Sequence, residues 1–276
     1  MDIFVVDAFT TEAFRGNPAG VCILAEDRPD TWKQGLAREL NHPETAFLRP
    51  LREGYELRWF TPTVEVPLCG HATLAGAHIL SEFRGLSGPI HFHTRFSGTL
   101  TATTDAEGIS LDFPALLTEP PEEHADAGAL ACISAVLGSE AVEIVVHRGS
   151  GERFYLARLS DPDAVRSLKV DTRALLAEGV GQLIVTAVAD PGPYDFISRF
   201  FAPGFGIDED PVTGAAHCVL APYWSTILGA REFLGYQASA RGGEVGCEFT
   251  GGRVRLIGKA VTVLRAELFP ENNPKR

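Results

Sequence analysis

Three residues in the first third of the chain are of types that move protons: Glu44 beside Thr45, and Cys69 and His71 on either side of Gly70. Glu44 follows Asn41-His42-Pro43, which ends a helix. It reads either as a solvated loop carboxylate or as a base whose pKa partial burial raises towards neutrality. His71 stands at a predicted helix start, where the dipole lowers an imidazole's pKa and keeps it neutral. A neutral ring passes a proton or donates one hydrogen bond; the plainer reading is a helix-cap histidine without chemistry. Cys69 is either a thiolate favoured by that helix start or an inert buried cysteine. Further on, Asp208-Glu209-Asp210-Pro211 precedes a second helix start. Those carboxylates either compensate its dipole, or one turns inward as a second acid/base or as an orienting group for His71. His91 and His93 alternate on one predicted strand face, but no third ligand has suitable spacing, so no metal is expected. No Gly-x-Gly-x-x-Gly follows a strand, and there is no Walker-type loop and no Gly-x-Ser-x-Gly elbow. Nucleotide cofactors are therefore not expected.

Glu65 to Gly76 supplies the frame for these side chains: a strand end, a tight turn at Gly70, and a helix. Gly70 allows a sharp turn and close approach to a bound group. The amides from His71 on are the unpaired donors of a helix start and favour an anion such as a carboxylate. The helix body (Ala72, Leu74, Ala75, Ala77, Ile79, Leu80) is apolar on more than one face, which predicts burial on several sides. A similar pattern returns later. Phe200-Phe201-Ala202-Pro203 echoes Trp59-Phe60-Thr61-Pro62, and Thr213-Gly214-Ala215-Ala216-His217 echoes Cys69-Gly70-His71-Ala72-Thr73. Two such halves would aim two helix starts into one cleft. Pro222 is expected to limit or kink the second helix. Elsewhere, Asp30 or Thr31 is expected to cap a helix running to about Leu40, and a strand is expected from Gly20.

The 276 residues suit one large domain or two medium ones, and two are expected. The first spans 1–115, with the last strand, about 260–276, a candidate to complete it. Pro- and Glu-rich Pro114–Ala127 is the linker, and the second domain spans 128–259. With 45% hydrophobic residues a packed core is expected. The formal charge of −12, with no basic run, argues against nucleic acid and against an anionic membrane surface. Five scattered cysteines, none in a Cys-x-x-Cys pair, read as free thiols. With no signal-peptide pattern and no membrane span, a cytoplasmic protein is expected.

Taken in order, Val6-Asp7-Ala8-Phe9, Gly16-Asn17-Pro18-Ala19-Gly20-Val21, Glu44-Thr45-Ala46-Phe47, Phe60-Thr61-Pro62, Glu65 to Ala75, Asp210 to His217, Pro222-Tyr223-Trp224 and Gln237 to Gly243 resemble the PhzF-like family of phenazine-biosynthesis-type isomerases. The likeness covers nearly the whole chain. It implies the diaminopimelate-epimerase-like α/β fold, in which two similar domains each wrap a curved sheet around a central helix. It also implies catalysis without cofactor or metal, usually in a homodimer. In the phenazine enzyme a glutamate shuttles a proton on trans-2,3-dihydro-3-hydroxyanthranilate. The matching catalytic residues here are Glu44, His71 and Asp210. A small carboxylate substrate would meet Asn17, Gly70, Thr213, Gly214 and Ala215.

The family often has serine where this chain has Ala215, which puts the phenazine substrate in question more than the reaction class. Cys69 matches the first catalytic cysteine of related epimerases, but the second position is Thr213, which is no thiol base. Three functions are carried forward: a proton-shifting isomerase with Glu44 as acid/base, an epimerase using Cys69, and a non-catalytic scaffold.

Overall fold

The computed structural model describes residues 1–149 and 153–269, which form two compact units. Unit 1 is Met1–Leu111 with the residues from Gly258 on, and unit 2 is Asp112–Ile257. Unit 1 begins with β1 (Asp2–Ala8), β2 (Asn17–Ile23), α1 (Asp30–Leu40), β3 (Glu44–Pro50) and β4 (Tyr55–Phe60). It continues with β5 (Glu65–Val66), α2 (Gly70–Arg84), β6 (Gly88–Thr94), β7 (Thr99–Thr104) and β8 (Ile109–Pro114). Unit 2 holds α3 (Ala127–Leu137), β9 (Glu143–Arg148), β10 (Arg153–Arg158), α4 (Pro162–Ser167) and α5 (Thr172–Ala177). Then come β11 (Leu183–Val188), β12 (Phe196–Phe201), β13 (Glu209–Asp210) and α6 (Gly214–Leu228). Last in unit 2 are β14 (Glu232–Gln237), β15 (Gly243–Phe249) and β16 (Arg253–Gly258), and β17 (Ala260–Glu267) belongs to unit 1. Positions 270–276 of the expected closing strand lie outside the described residues. No described helix is long and apolar enough to cross a membrane.

In unit 1, β1 pairs antiparallel with both β2 and β17, and β2 runs parallel to β3 with Ala19 opposite Glu44. β3 and β4 are antiparallel, and β4 runs parallel to β6. This sheet curls round α2. Ala72, Leu74, Ala75, Ala77, Ile79 and Leu80 are all within 1% of full burial, so the helix is enclosed on several sides as its composition predicts. Each fully buried Leu or Ile contributes on the order of 2 kcal/mol. Gly76 keeps the helix close to β3, since a Cβ there would lie 3.3 Å from Leu48.

Unit 2 repeats this plan. β10 runs parallel to β11, β11 antiparallel to β12, and β12 parallel to β14. From β5 onward the register is one-to-one. β13, α6, β14, β15 and β16 each begin 144 positions after β5, α2, β6, β7 and β8. Both helices have 15 residues and close on a left-handed glycine, Gly85 and Gly229. The Phe-x-Pro strand ends are only 141 apart, so the acidic loop of unit 2 is a three-residue insertion.

Four expectations need correction. Pro222 does not end the second helix, which runs through it to Leu228. Proline frees the carbonyl four residues back, and Cys218 C=O accepts from Leu116 N–H at 2.9 Å instead. That bond ties the expected linker to unit 2, as do Ala115 N–H to Gly252 O and Asp126, which is 1% exposed and takes the Tyr155 hydroxyl at 2.8 Å. Neither Asp30 nor Thr31 caps α1. Pro29 is the cap residue, and Asp30, the first helical residue, accepts from Arg58. The second strand starts at Asn17, ahead of Gly20, because its pairing with β1 extends to Ala8. Gly16 makes the turn before it at φ +64, where a Cβ would strike Ala8 O at 2.1 Å.

Candidate active site

Three element starts converge in unit 1. Asn17 begins β2 and Glu44 begins the neighbouring parallel β3, so both lie at the same end of the sheet. Gly70 begins α2, with Cys69 as its cap residue. The result is one cluster. His71 Nε2 is 3.3 Å from Glu44 Oε2, and His71 Nδ1 is 3.2 Å from Asn17 Nδ2 and 3.5 Å from Cys69 Sγ. Glu44 is therefore no solvated loop residue. It begins a strand, and its side chain keeps 21% of its exposure. Cys69 makes no side-chain cap bond. Its carbonyl accepts from the Thr73 hydroxyl at 2.6 Å, and the cap side chain leaves the first amides of α2 unfilled.

Burial pushes the His71 pKa down to about 3. The carboxylate at 3.3 Å pulls in the opposite direction. Burial prevails: the ring is 6% exposed, Glu44 remains partly hydrated, and Nε2 has no formed hydrogen bond among the described residues. The imidazole is thus neutral at pH 7, as the sequence predicts, although desolvation does the work there assigned to the helix dipole.

Glu44, Cys69 and His71 each offer one ligand atom within 4.8 Å of the others, a spacing in reach of a metal ion. The carboxylate faces Nε2 and the thiol faces Nδ1, so the ring stands between two of the three donors. A tetrahedral site would need the thiol to move round the ring. His91 and His93 instead bond across the strand pair to Thr101 and Thr99.

The second junction is built within unit 2. Of its three carboxylates, Asp208 accepts from Thr172 and Glu209 from Arg199. Only Asp210 turns to the helix start, where the Thr213 hydroxyl donates to its carboxylate. Gln237, fully buried, braces the same turn: its Oε1 accepts from Thr213 N–H at 2.9 Å and its Nε2 donates to Asp210 O at 2.7 Å. Gly214 and Ala215 are the first residues of α6, and Ala215 is exposed. By register Thr213 stands where unit 1 has Cys69, and Ala215 where it has His71. Thr45 and Leu183 pair with the matching Phe60 and Phe201, so Gln182 replaces Glu44. Unit 2 lacks all three proton carriers at these positions.

The sequence reading quoted Gln237 within the family pattern but gave it no role, and it passed over a matched pair of arginines. Arg58 grips Glu65 through Nε and Nη2, both at 2.7 Å, and Arg199 grips Glu209 at 2.7 and 2.8 Å. Each guanidinium lies over the phenylalanine two residues on, at 5.2 and 4.9 Å. An Arg-x-Phe ahead of a glutamate five residues before each helix start was the available signal.

A family profile described as phenazine biosynthesis-like protein, PhzC-PhzF, matches residues 6–266. An uncharacterized isomerase of Halalkalibacterium halodurans is 47% identical over 269 residues, covering 97% of this chain and 98% of its own. Phenazine biosynthesis-like domain-containing protein 1 of Mus musculus is 44% identical over 289 residues, covering 97% and 99%. A crystal structure of a PhzF family protein from Enterococcus faecalis superposes with a TM-score of 0.88 at 38% identity, covering 98% and 99%. A hydroxyproline epimerase from Agrobacterium vitis shares the fold alone, with a TM-score of 0.61 at 13% identity and coverage of 96% and 91%.

Proposed function

The chain belongs to the phenazine biosynthesis-like PhzC-PhzF family, and from that premise we propose a cofactor-independent isomerase that shifts a proton on a small carboxylate. Glu44 takes the proton from an acidic C–H. The electron pair of that bond moves into the adjoining unsaturated system as an enolate or dienolate. The same carboxyl then returns the proton to another carbon. The double bond moves, and nothing is oxidised or reduced.

The observation that carries this reading is a partly exposed carboxylate 3.3 Å from the Nε2 of a buried, neutral imidazole. A neutral His71 brings no positive charge of its own to Glu44, and a partly exposed carboxylate beside it suits the role of general base towards an acidic C–H. The helix-terminal amides of α2 suit the substrate carboxylate. Asp210, Thr213, Gly214 and Ala215 offer a second uncapped helix start of the same chemistry. A homodimer is expected from the family.

Solvent-proton incorporation in deuterated water, followed by NMR over small cyclic and aliphatic carboxylates, identifies the substrate class. Glu44→Gln should then lose on the order of a hundred- to ten-thousand-fold in turnover; undiminished turnover would end the assignment. The position of Cys69 Sγ, 3.5 Å from the ring, favours one competing reading, a thiol-based epimerase. An active Cys69→Ala enzyme excludes it.

A further inference from the structure

We propose that Asn17 is a positioning residue that fixes the tautomer of His71, keeping its single ring proton on Nε2, the side facing Glu44. A side-chain amide nitrogen only donates hydrogen bonds. Asn17 Nδ2 stands 3.2 Å from His71 Nδ1, so Nδ1 accepts and carries no hydrogen. A neutral imidazole with a bare Nδ1 holds its proton on Nε2. Cys69 Sγ, 3.5 Å from the same nitrogen, is a second donor on that side while it remains a thiol.

The alternative is to turn the amide round. Its oxygen would then accept from Nδ1–H, and Nε2 would present a lone pair to Glu44 Oε2 at 3.3 Å. Two acceptors would face each other in a buried place, where an unmatched polar pair is costly. Asn17 is fully buried and His71 is 6% exposed, so water is poorly placed to relieve that conflict. Backbone pairing holds the amide in place: Asn17 opens β2 opposite Ala8.

The catalytic consequence rests on the reading of Glu44 as the base. His71 Nε2–H is buried without a formed hydrogen bond among the described residues, so it is a donor held ready for Glu44 or for a ligand oxygen. Asn17, expected from the resemblance to touch substrate, acts instead through the ring. Cys69 as a thiol supports the same nitrogen. Among the described residues, Glu44 from β3 and Cys69, the residue before α2, are titratable groups that face the ring.

Nitrogen-15 labelling of the histidine rings tests this in the unliganded wild-type protein, with the His71 signals assigned by their loss in His71→Gln. At neutral pH more than about nine-tenths of the ring should carry its proton on Nε2, the bias that one good hydrogen bond supplies. Asn17→Asp replaces the donor by an acceptor and should move the proton to Nδ1. A wild-type ring protonated on Nδ1, or an Asn17→Asp ring still protonated on Nε2, overturns the proposal. If Asn17→Asp does not fold, the wild-type spectrum alone decides. The tautomer is read without turnover, so a fully active Glu44→Gln would remove the catalytic reading and leave the tautomer assignment intact.

Discussion

His217 offers a prediction whose size follows from its surroundings. Its ring is fully buried in α6, Nδ1 donates to Thr213 O at 2.8 Å, and Nε2 has no formed hydrogen bond among the described residues. Phe196 lies 6.0 Å from the ring centroid. Burial lowers the pKa to about 4, against about 6.5 in an unfolded chain. Between those values the unfolded chain takes up a proton that the folded chain refuses. The stability this ring confers is therefore full above pH 6.5 and drains away as pH falls towards 4. Going from pH 7 to pH 5, the loss is about 2 kcal/mol. His217→Leu removes the titration. It also gives up the bond to Thr213 O, worth about 1 kcal/mol, although that carbonyl still receives the backbone N–H of residue 217 at 3.3 Å. The variant should be slightly less stable at pH 7, yet lose about 2 kcal/mol less than wild type between pH 7 and pH 5. Urea unfolding followed by tryptophan fluorescence suits the measurement, since Trp224 stacks on Phe196 beside this ring. Equal losses in the two proteins would show that the folded ring titrates normally, and the burial account would be refuted.

Three further outcomes are expected. Arg58→Met leaves Glu65, whose side chain is 15% exposed, with only the outer Arg95 at 3.0 Å, and should cost about 3 kcal/mol in thermal or urea unfolding; a loss below about 1 kcal/mol would mean the pair is hydrated. Gly235→Ala puts a Cβ 2.5 Å from the Phe196 ring and should cost about 1–3 kcal/mol, measured the same way; an unchanged midpoint would contradict the close approach. Cys69→Ala should keep turnover within about tenfold of wild type if the thiol only supports the ring, whereas a thousandfold loss on the confirmed substrate would move the chemistry to sulfur.

Much of the architecture was readable because burial imposes composition. Mostly small and apolar side chains fit around a helix enclosed by its own sheet, and the stretch from Ala72 to Leu80 shows this on several faces. The repeat was readable for the same reason, since Thr213 to His217 must meet the packing that Cys69 to Thr73 meets. The clustering of Glu44 with His71 was foreseen through the family pattern. Nothing local in Pro43-Glu44-Thr45 reports the parallel pairing that sets Glu44 opposite Ala19, at the same end of the sheet as Asn17. Gln237 escaped because its two bonds reach back 24 residues to Thr213 and 27 to Asp210, a distance over which no periodicity carries a signal. The linker was misjudged because Pro and Glu suggest open chain, whereas the carbonyl freed by Pro222 gave the segment a partner.

The pairing of β1 with β17, Asp2 opposite Glu267, bears on how the protein is made. A ribosome delivers β1 well before its partner β17, which follows only after the whole of 112–257 has emerged. Unit 2 has all its residues on hand before unit 1 can close. Until then the nascent strand Asp2–Ala8 shows a bare edge, open to any extended chain nearby. Slowed translation of the codons for Ala260–Glu267 should lengthen that exposure and raise the yield of aggregate, with no change in the finished fold.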